Sequence, residues 1–421
     1  MDLEAWLECE CALKRYCPKY RNRDRFRYAA ALMGHSSRHA SNKEGLPMKP
    51  MRTSLLLFPI FAFFILISSC KDQMPLENVT LVLMVGMDLD KDNNLVIYAS
   101  SPVFNKEAKS KNEVIKVSSM NVRDSRNELD SRASALISAG KIQNVLISKR
   151  ILAHDDWFKL LDVFFRDPKI SETARVIAVE GSIEEIINFA PADKRRMSMH
   201  IAKLLDTAHM RNLVQVSTLF DLHRQMYEKG ITPYLTDLRK DTEVLAAGTL
   251  FLSKKGKYAY AINNTENQLL QMLQKEKNGA LSISVKLPEE KGESFFDTGT
   301  LSFYALRVNR DMKVTFAQNK FIFDIQLSVP IQLTEKPFTF DWNNDAPKLE
   351  TEINQQLESQ MRALVKKMQE HEIDPIGLGL YARAYQFKAW EHVQDEWGHA
   401  FSEAEVNIHV KTKIKNMGET L

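Results

Sequence analysis

Cys70 is the residue best placed to do chemistry in this chain of 421 residues. It closes Ile67-Ser68-Ser69-Cys70, an aliphatic residue and two small ones before a cysteine. That is lipobox order, in which the thiol receives diacylglycerol and the leader is then cut away. The preceding residues fit: Lys49 and Arg52 make a basic start, and Leu55 to Ile67 is a thirteen-residue apolar run. Crossing a bilayer takes about twenty apolar residues, so residues 48–69 read as a lipoprotein signal peptide that is removed. Cys70 would then begin the exported protein, held to membrane lipid by acyl chains worth ~0.8 kcal/mol per buried methylene.

The other cysteines, Cys9, Cys11 and Cys17, lie upstream of this leader, and the 351 residues after Cys70 contain none. A chain of that length can bury enough core to fold without disulfides. Residues 1–70 hold 11 of the 57 Lys/Arg and 6 of the 54 Asp/Glu, which leaves 46 basic and 48 acidic residues beyond Cys70. The basicity therefore belongs to the segment expected to be lost, and nothing in the remainder calls for nucleic acid. Residues 1–47 crowd basic side chains around three cysteines without an apolar period, and read as an upstream extension ahead of a start at Met48 or Met51. Cys9-x-Cys11 has no second pair at zinc spacing.

Two further constellations invite chemistry and fail where the chemistry is strict. Asp88, Asp90 and Asp92 occupy the first, third and fifth positions of a calcium loop, but Asn93 stands where glycine is needed and Ala99 where a bidentate glutamate is needed. An acidic turn is expected instead. Gly377-x-Gly379-x-x-Ala382 has the letters of a dinucleotide fingerprint, yet it follows a helix and a proline rather than a strand, which makes it an interhelical turn. There is no nucleophile elbow, phosphate loop or His-Glu-x-x-His. His371, His392, His399 and His409 read as scattered polar-face residues. No catalytic residue, cofactor or metal is expected.

The elements that would carry these residues alternate between strand and helix. Val79 to Met87 predicts a buried strand, Asp88 to Asn94 a turn, and Leu95 to Ala99 the returning strand. Glu113 to Ser118, Val145 to Leu152 and Ala174 to Val179 predict strands. Val122 to Ile137 predicts a helix, a short helix capped by Asp155-Asp156 is expected to stop at Pro168, and Ser182 with Glu185 has capping-box spacing. Lys194 to Leu238 looks helical, broken at Pro233. Val244 to Leu252 and Lys257 to Ile262 predict a hairpin, with a helix over Thr265 to Leu273. Phe321 to Leu333 alternates as a long half-buried strand, its Pro330 placing the later half at an edge or bulge. Pro347 is expected to start a helix with Leu349, Ile353, Leu357, Met361, Leu364, Val365 and Met368 as its apolar stripe. After Asp374 to Gly379, a second helix carries Tyr381, Tyr385, Trp390 and Trp397. Val406 to Ile414 predicts a closing strand with one apolar face and one basic face of Lys411, Lys413 and Lys415. The fold class is α+β, with segments 70–190, 191–278 and 279–421 as three mixed sheet and helix domains.

Three blocks carry a resemblance. Phe165-Arg166-Asp167-Pro168 followed by an apolar strand and Gly181, Ala247-Gly248-Thr249-Leu250-Phe251, and Asp374-Pro375-Ile376-Gly377-Leu378-Gly379 with its Trp-bearing helix and basic strand resemble the Ger(x)C family, the lipoprotein C subunits of spore germinant receptors. Family members commonly carry Trp-Asp after the lipid cysteine, where this chain has Lys71-Asp72. The resemblance implies a non-enzymatic subunit lipidated at Cys70. It implies attachment to the outer face of the spore inner membrane and assembly with two integral membrane receptor subunits. The alternative is a solute-binding lipoprotein of a transporter, which would need two similar lobes around a cleft.

Overall fold

A computed structural model describes residues 78–104, 107–189, 196–275, 279–287, 299–335 and 342–416. Cys70, the leader 48–69 and segment 1–47 lie outside them. The apolar run from Val79 is two strands, β1 (Val79–Leu81) and β2 (Met84–Leu89). β2 forms the expected hairpin with β3 (Leu95–Pro102), and β4 (Asn112–Ser118) pairs with β3. The helix expected over 122–137 shrinks to α1 (Ser125–Asp130). Ser131 and Ser134 favour the backbone alternatives to helix, and β5 (Leu136–Ser138) leaves to pair with β1. The Asp130 carboxylate accepts the Ile137 N–H at 2.9 Å and fixes that exit.

β6 (Asn144–Ser148) ends sooner than its apolar run, because Ser148 accepts the Ile151 N–H and caps α2 (Lys149–Leu152). A 3-10 turn at Trp157–Leu161 and α3 (Asp162–Arg166) follow, stopping before Pro168. Asp156 does not cap this turn with its side chain; it takes a left-handed backbone, φ 66°. β7 (Arg175–Glu180) and α4 (Ile183–Ile187) match expectation, with Ser182 accepting the Glu185 N–H. The stretch read as helical to Leu238 holds α5 (Met197–Met210), the short β8 (Ser217–Thr218) and α6 (Leu219–Tyr227). Beyond Pro233 it becomes a strand, β9 (Tyr234–Lys240), lodged between β7 and its hairpin neighbour. That hairpin is β10 (Val244–Leu252) with β11 (Tyr258–Asn263), leading into α7 (Asn264–Gln274) through an Asn263/Glu266 capping box.

These strands form a nine-stranded sheet in the order β11-β10-β9-β7-β6-β2-β3-β4, with β8 beside β7. β2, β6, β7 and β9 run parallel, so they need helical crossovers and are covered on both faces. Val145, Ile147, Val176 and Ala178 face a core with Trp157, Leu161 and Phe164. Leu146, Ile177 and Val179 face another with Ile183, Ile186, Ile201 and Leu205. Segment 191–278 thus contributes β8 to β11 to the sheet that segment 70–190 begins.

The second sheet is five-stranded: β12 (Leu281–Lys286), β13 (Thr300–Ala305), β14 (Asn309–Ala317) and β15 (Lys320–Glu335), with a last strand beside β15. β15 is central, not an edge. Pro330 sits where its antiparallel partner changes from β14, paired up to Ser328, to β13, paired from Ile331, so its missing N–H falls in the gap. α8 (Trp342–Glu370) begins before Pro347, which lies inside its early turns, and its predicted stripe from Leu349 to Met368 is wholly buried. The single helix expected next is three: α9 (Leu378–Tyr385), α10 (Phe387–Val393) and α11 (Trp397–Ser402). β16 (Glu405–Asn416) closes the chain parallel to β15. Among the described residues, no helix is long and apolar enough to cross a membrane.

Candidate functional site

The turn after α8 is built around one carboxylate. Asp374 is 1% exposed. Its Oδ1 accepts the Gly377 N–H at 2.9 Å, and its Oδ2 accepts the Gly379 N–H and the Trp397 indole N–H, each at 2.8 Å. Burial pushes this carboxyl above its usual range, and the N–H donors pull against that shift. The Asp374 N–H donates to Thr232 Oγ1 at 2.7 Å, and its carbonyl accepts the Thr232 N–H at 3.0 Å. One residue therefore ties the α8 exit, the start of α9, α11 and the approach to β9. The glycines are conformational and steric: Gly377 has φ 79°, and a Cβ at Gly379 would lie 2.6 Å from the Trp397 indole nitrogen.

Beside this turn, the β10–β11 loop sets Lys254 over the end of α6. Its ammonium donates to the Gln225 carbonyl at 2.8 Å and to the Glu228 carbonyl, while its stem stays open to solvent. Burial of the ammonium pushes Lys254 down to about 8, against the pull of the Glu228 and Asp374 charges. Glu228 in turn accepts both arms of Arg383, at 2.9 and 3.3 Å. A cleft of about 660 Å³ opens here, lined by Ile231, Leu252, Lys254, His371, Asp395 and His399. His399 meets Glu372 at 3.2 Å and His371 stacks on Tyr260. These histidines are scattered in the sequence, and the turn after α8 brings His371 and His399 into the lining of one cleft. Nothing in their spacing of 28 positions signals it.

A second charged group sits at the carboxyl ends of the parallel strands. Lys149, at the start of α2, donates to Asp237 at 2.8 Å and Glu180 at 3.1 Å. Burial works against the Lys149 charge, and its two carboxylate partners outweigh it; burial pushes Asp237 up. Arg150 pairs with the buried Asp88 at 2.8 Å. Asp88 is thus a buried carboxylate met by a guanidinium at the surface, while Asp90 accepts the Asp92 and Asn94 N–H groups and shapes the turn. Among the described residues, no three His, Cys, Asp or Glu are grouped to hold a metal. Lys411, Lys413 and Lys415 are exposed on β16, and Lys413 meets Glu350 at 3.3 Å.

Comparison with known proteins follows this architecture. Residues 72–240 match a family model described as the spore germination protein N-terminal domain, and residues 247–418 match one described as spore germination B3/GerAC like, C-terminal. The chain belongs to the Ger(x)C family of spore germination proteins. A curated relative, spore germination protein GerQC of Bacillus cereus, is 19% identical over 373 residues, covering 87% of this chain and 99% of its own. The crystal structure of the GerBC protein shares the fold at TM-score 0.51 and 14% identity, over 79% of this chain and 97% of its own. Within this Ger(x)C chain the blocks that carried the resemblance have structural work. A Cβ at Gly248 would lie 1.9 Å from the Ile262 carbonyl oxygen, at the β10 bulge. Thr249 Oγ1 donates to Asn267 Oδ1 at 2.8 Å, and Leu250 and Phe251 are buried.

Proposed function

We propose that this protein is a lipid-anchored, non-catalytic subunit of a spore nutrient germinant receptor, tethered through Cys70 to the outer face of the spore inner membrane and assembled with two integral membrane subunits. The observation that carries the reading is the pair of family matches, which span residues 72–240 and 247–418 and begin just past the lipobox cysteine. Tethering would confine the two sheets to the membrane surface and raise the effective concentration of partners there, so that modest contacts suffice for assembly. The solute-binder alternative calls for two similar lobes, whereas these sheets have nine and five strands in unlike orders. Deletion of the gene in a spore former stripped of its other germinant receptors should abolish the nutrient response while germination by nutrient-independent routes persists. Intact mass of the membrane-extracted protein should equal Cys70–Leu421 plus a diacylglyceryl group, and Cys70→Ala should remove that group. A normal nutrient response in the deletion strain would end the receptor assignment, and an unmodified Cys70 would end the anchoring assignment.

A further inference from the structure

The helical layer over β2 and β3 is incomplete. Between α1, the β5 edge and the turn after α3 lies a cavity of about 640 Å³, within the range usual for small-molecule sites. Its floor is apolar: Val85 and Ile97 from the sheet, Leu129 from α1, Ile142 before β6 and Phe164 from α3. Residues of this same core that sit deeper, Val145, Ile147 and Leu161, are 0% exposed, whereas Val85, Leu129 and Ile137 retain 8%, 7% and 7%. The cavity thus reaches the surface through its own floor residues.

The mouth is charged, and its charges are unevenly committed. Arg123, Arg126, Arg166 and Lys169 line it with Asp124 and Asp167. Arg166 is held by Asp162 at 2.7 Å. Arg126 reaches Asp167 only at 3.9 Å and Asp130 only at 4.0 Å. Asp124 accepts the Asn121 amide at 2.5 Å, and Asp167 accepts the Lys169 backbone N–H at 2.9 Å. Arg123 and Lys169 have no ion pair among the described residues. Asp124 too lacks an ion pair among them, but the four cations of the mouth, Arg123, Arg126, Arg166 and Lys169, outnumber its two carboxylates, Asp124 and Asp167. An apolar pocket with a net positive mouth complements a molecule with an apolar body and one anionic end.

We propose that this cavity binds a small amphiphilic carboxylate, its apolar part against Val85, Leu129 and Phe164 and its carboxylate at Arg123, Arg126 and Lys169. This assigns a ligand site to the N-terminal sheet independently of how the protein is anchored or what it assembles with. The test irradiates the full chain, in phosphatidylcholine nanodiscs, with 4-benzoylbenzoate and maps the labelled peptides. Labelling should fall on residues 122–142 and 163–170, compete with 4-phenylbutyrate, and be absent with the cationic 4-benzoylbenzylamine. Arg123→Glu with Lys169→Glu, both at exposed positions, should cut labelling about tenfold through charge reversal at the mouth while the melting temperature stays unchanged. Ala139→Phe, which fills the cavity, should abolish it. Equal labelling by the anion and the amine, labelling elsewhere, or labelling that survives the charge reversals would overturn the proposal.

Discussion

Asp374 faces three N–H donors in a site closed to water, so removing its charge strands the donors it serves. Asp374→Asn presents an amide N–H₂ to at least one of them and should cost about 1–3 kcal/mol, read as a fall in melting temperature. Gly379→Ala drives a methyl into the Trp397 indole and should cost a similar ~1–3 kcal/mol by overpacking. An unchanged melting temperature in either variant would remove the turn from the account of stability. Lys254 gives a pH signature. Its folded pKa of about 8 lies below the ordinary 10.5, so between those values the unfolded chain holds a proton that the folded chain has released. Stability relative to Lys254→Met should therefore rise as pH climbs through that window, by about 1 kcal/mol because solvent reaches the stem. Urea unfolding at pH 7.5 and pH 10 measures it, and parallel behaviour of the two proteins would show a solvated ammonium. The glycines of this turn were legible as backbone choices. The roles of Asp374 and Lys254 were not, because Trp397 and Thr232, which close over Asp374, and Gln225 and Glu228, which hold Lys254, lie 23 residues or more away along the chain.

At the scale of elements, α8 does more than bury its apolar stripe. Glu350, Asn354, Glu358 and Arg362 recur every four residues beside the free edge of β16. Glu350 accepts the Ile414 N–H at 2.9 Å, Asn354 the Thr412 N–H at 2.7 Å and Glu358 the Val410 N–H at 2.9 Å, while Arg362 donates to the Ile408 carbonyl at 3.1 Å. A polar row on a helix thus stands in for a neighbouring strand and satisfies an edge that would otherwise template association. Asn354→Leu removes the acceptor for both the Thr412 N–H and its hydroxyl. It should cost about 1–3 kcal/mol and raise self-association in light scattering, whereas Asn354→Asp, which keeps an acceptor, should do neither to the same extent. Four-residue spacing made the helix readable, but the same row reads equally as a solvated face until β16 is placed against it.

Across the whole molecule, the first sheet is tied to the C-terminal half, where a partly buried polar chain runs from β9 to the turn after α8. Thr236 of β9 donates to the Gln215 carbonyl at 2.6 Å, the Gln215 amide donates to Gln274 at 2.6 Å, and the Gln274 amide donates to the Pro375 carbonyl at 2.7 Å. β10 joins them through apolar contact too, since Leu250 and Leu252 belong to one core and Phe251, between them, to the other. Gln274→Leu should therefore speed amide hydrogen exchange both in β9 and in residues 374–379; acceleration confined to one side would show that the chain does not couple them. What the sequence by itself determined are the features carried by near neighbours. These are the two-residue alternation of β15, the stripe of α8, and the hairpin and capping signals around β10 and α7. Tertiary structure alone decided that Leu136–Ser138 and Tyr234–Lys240 are strands, that β16 runs parallel to β15, and that Lys254 and two of the histidines line one cleft beside the turn that Asp374 holds. The reason is physical: periodicity and capping are set within a turn or two of chain, whereas strand pairing and the desolvation of a charge depend on groups that only folding brings together.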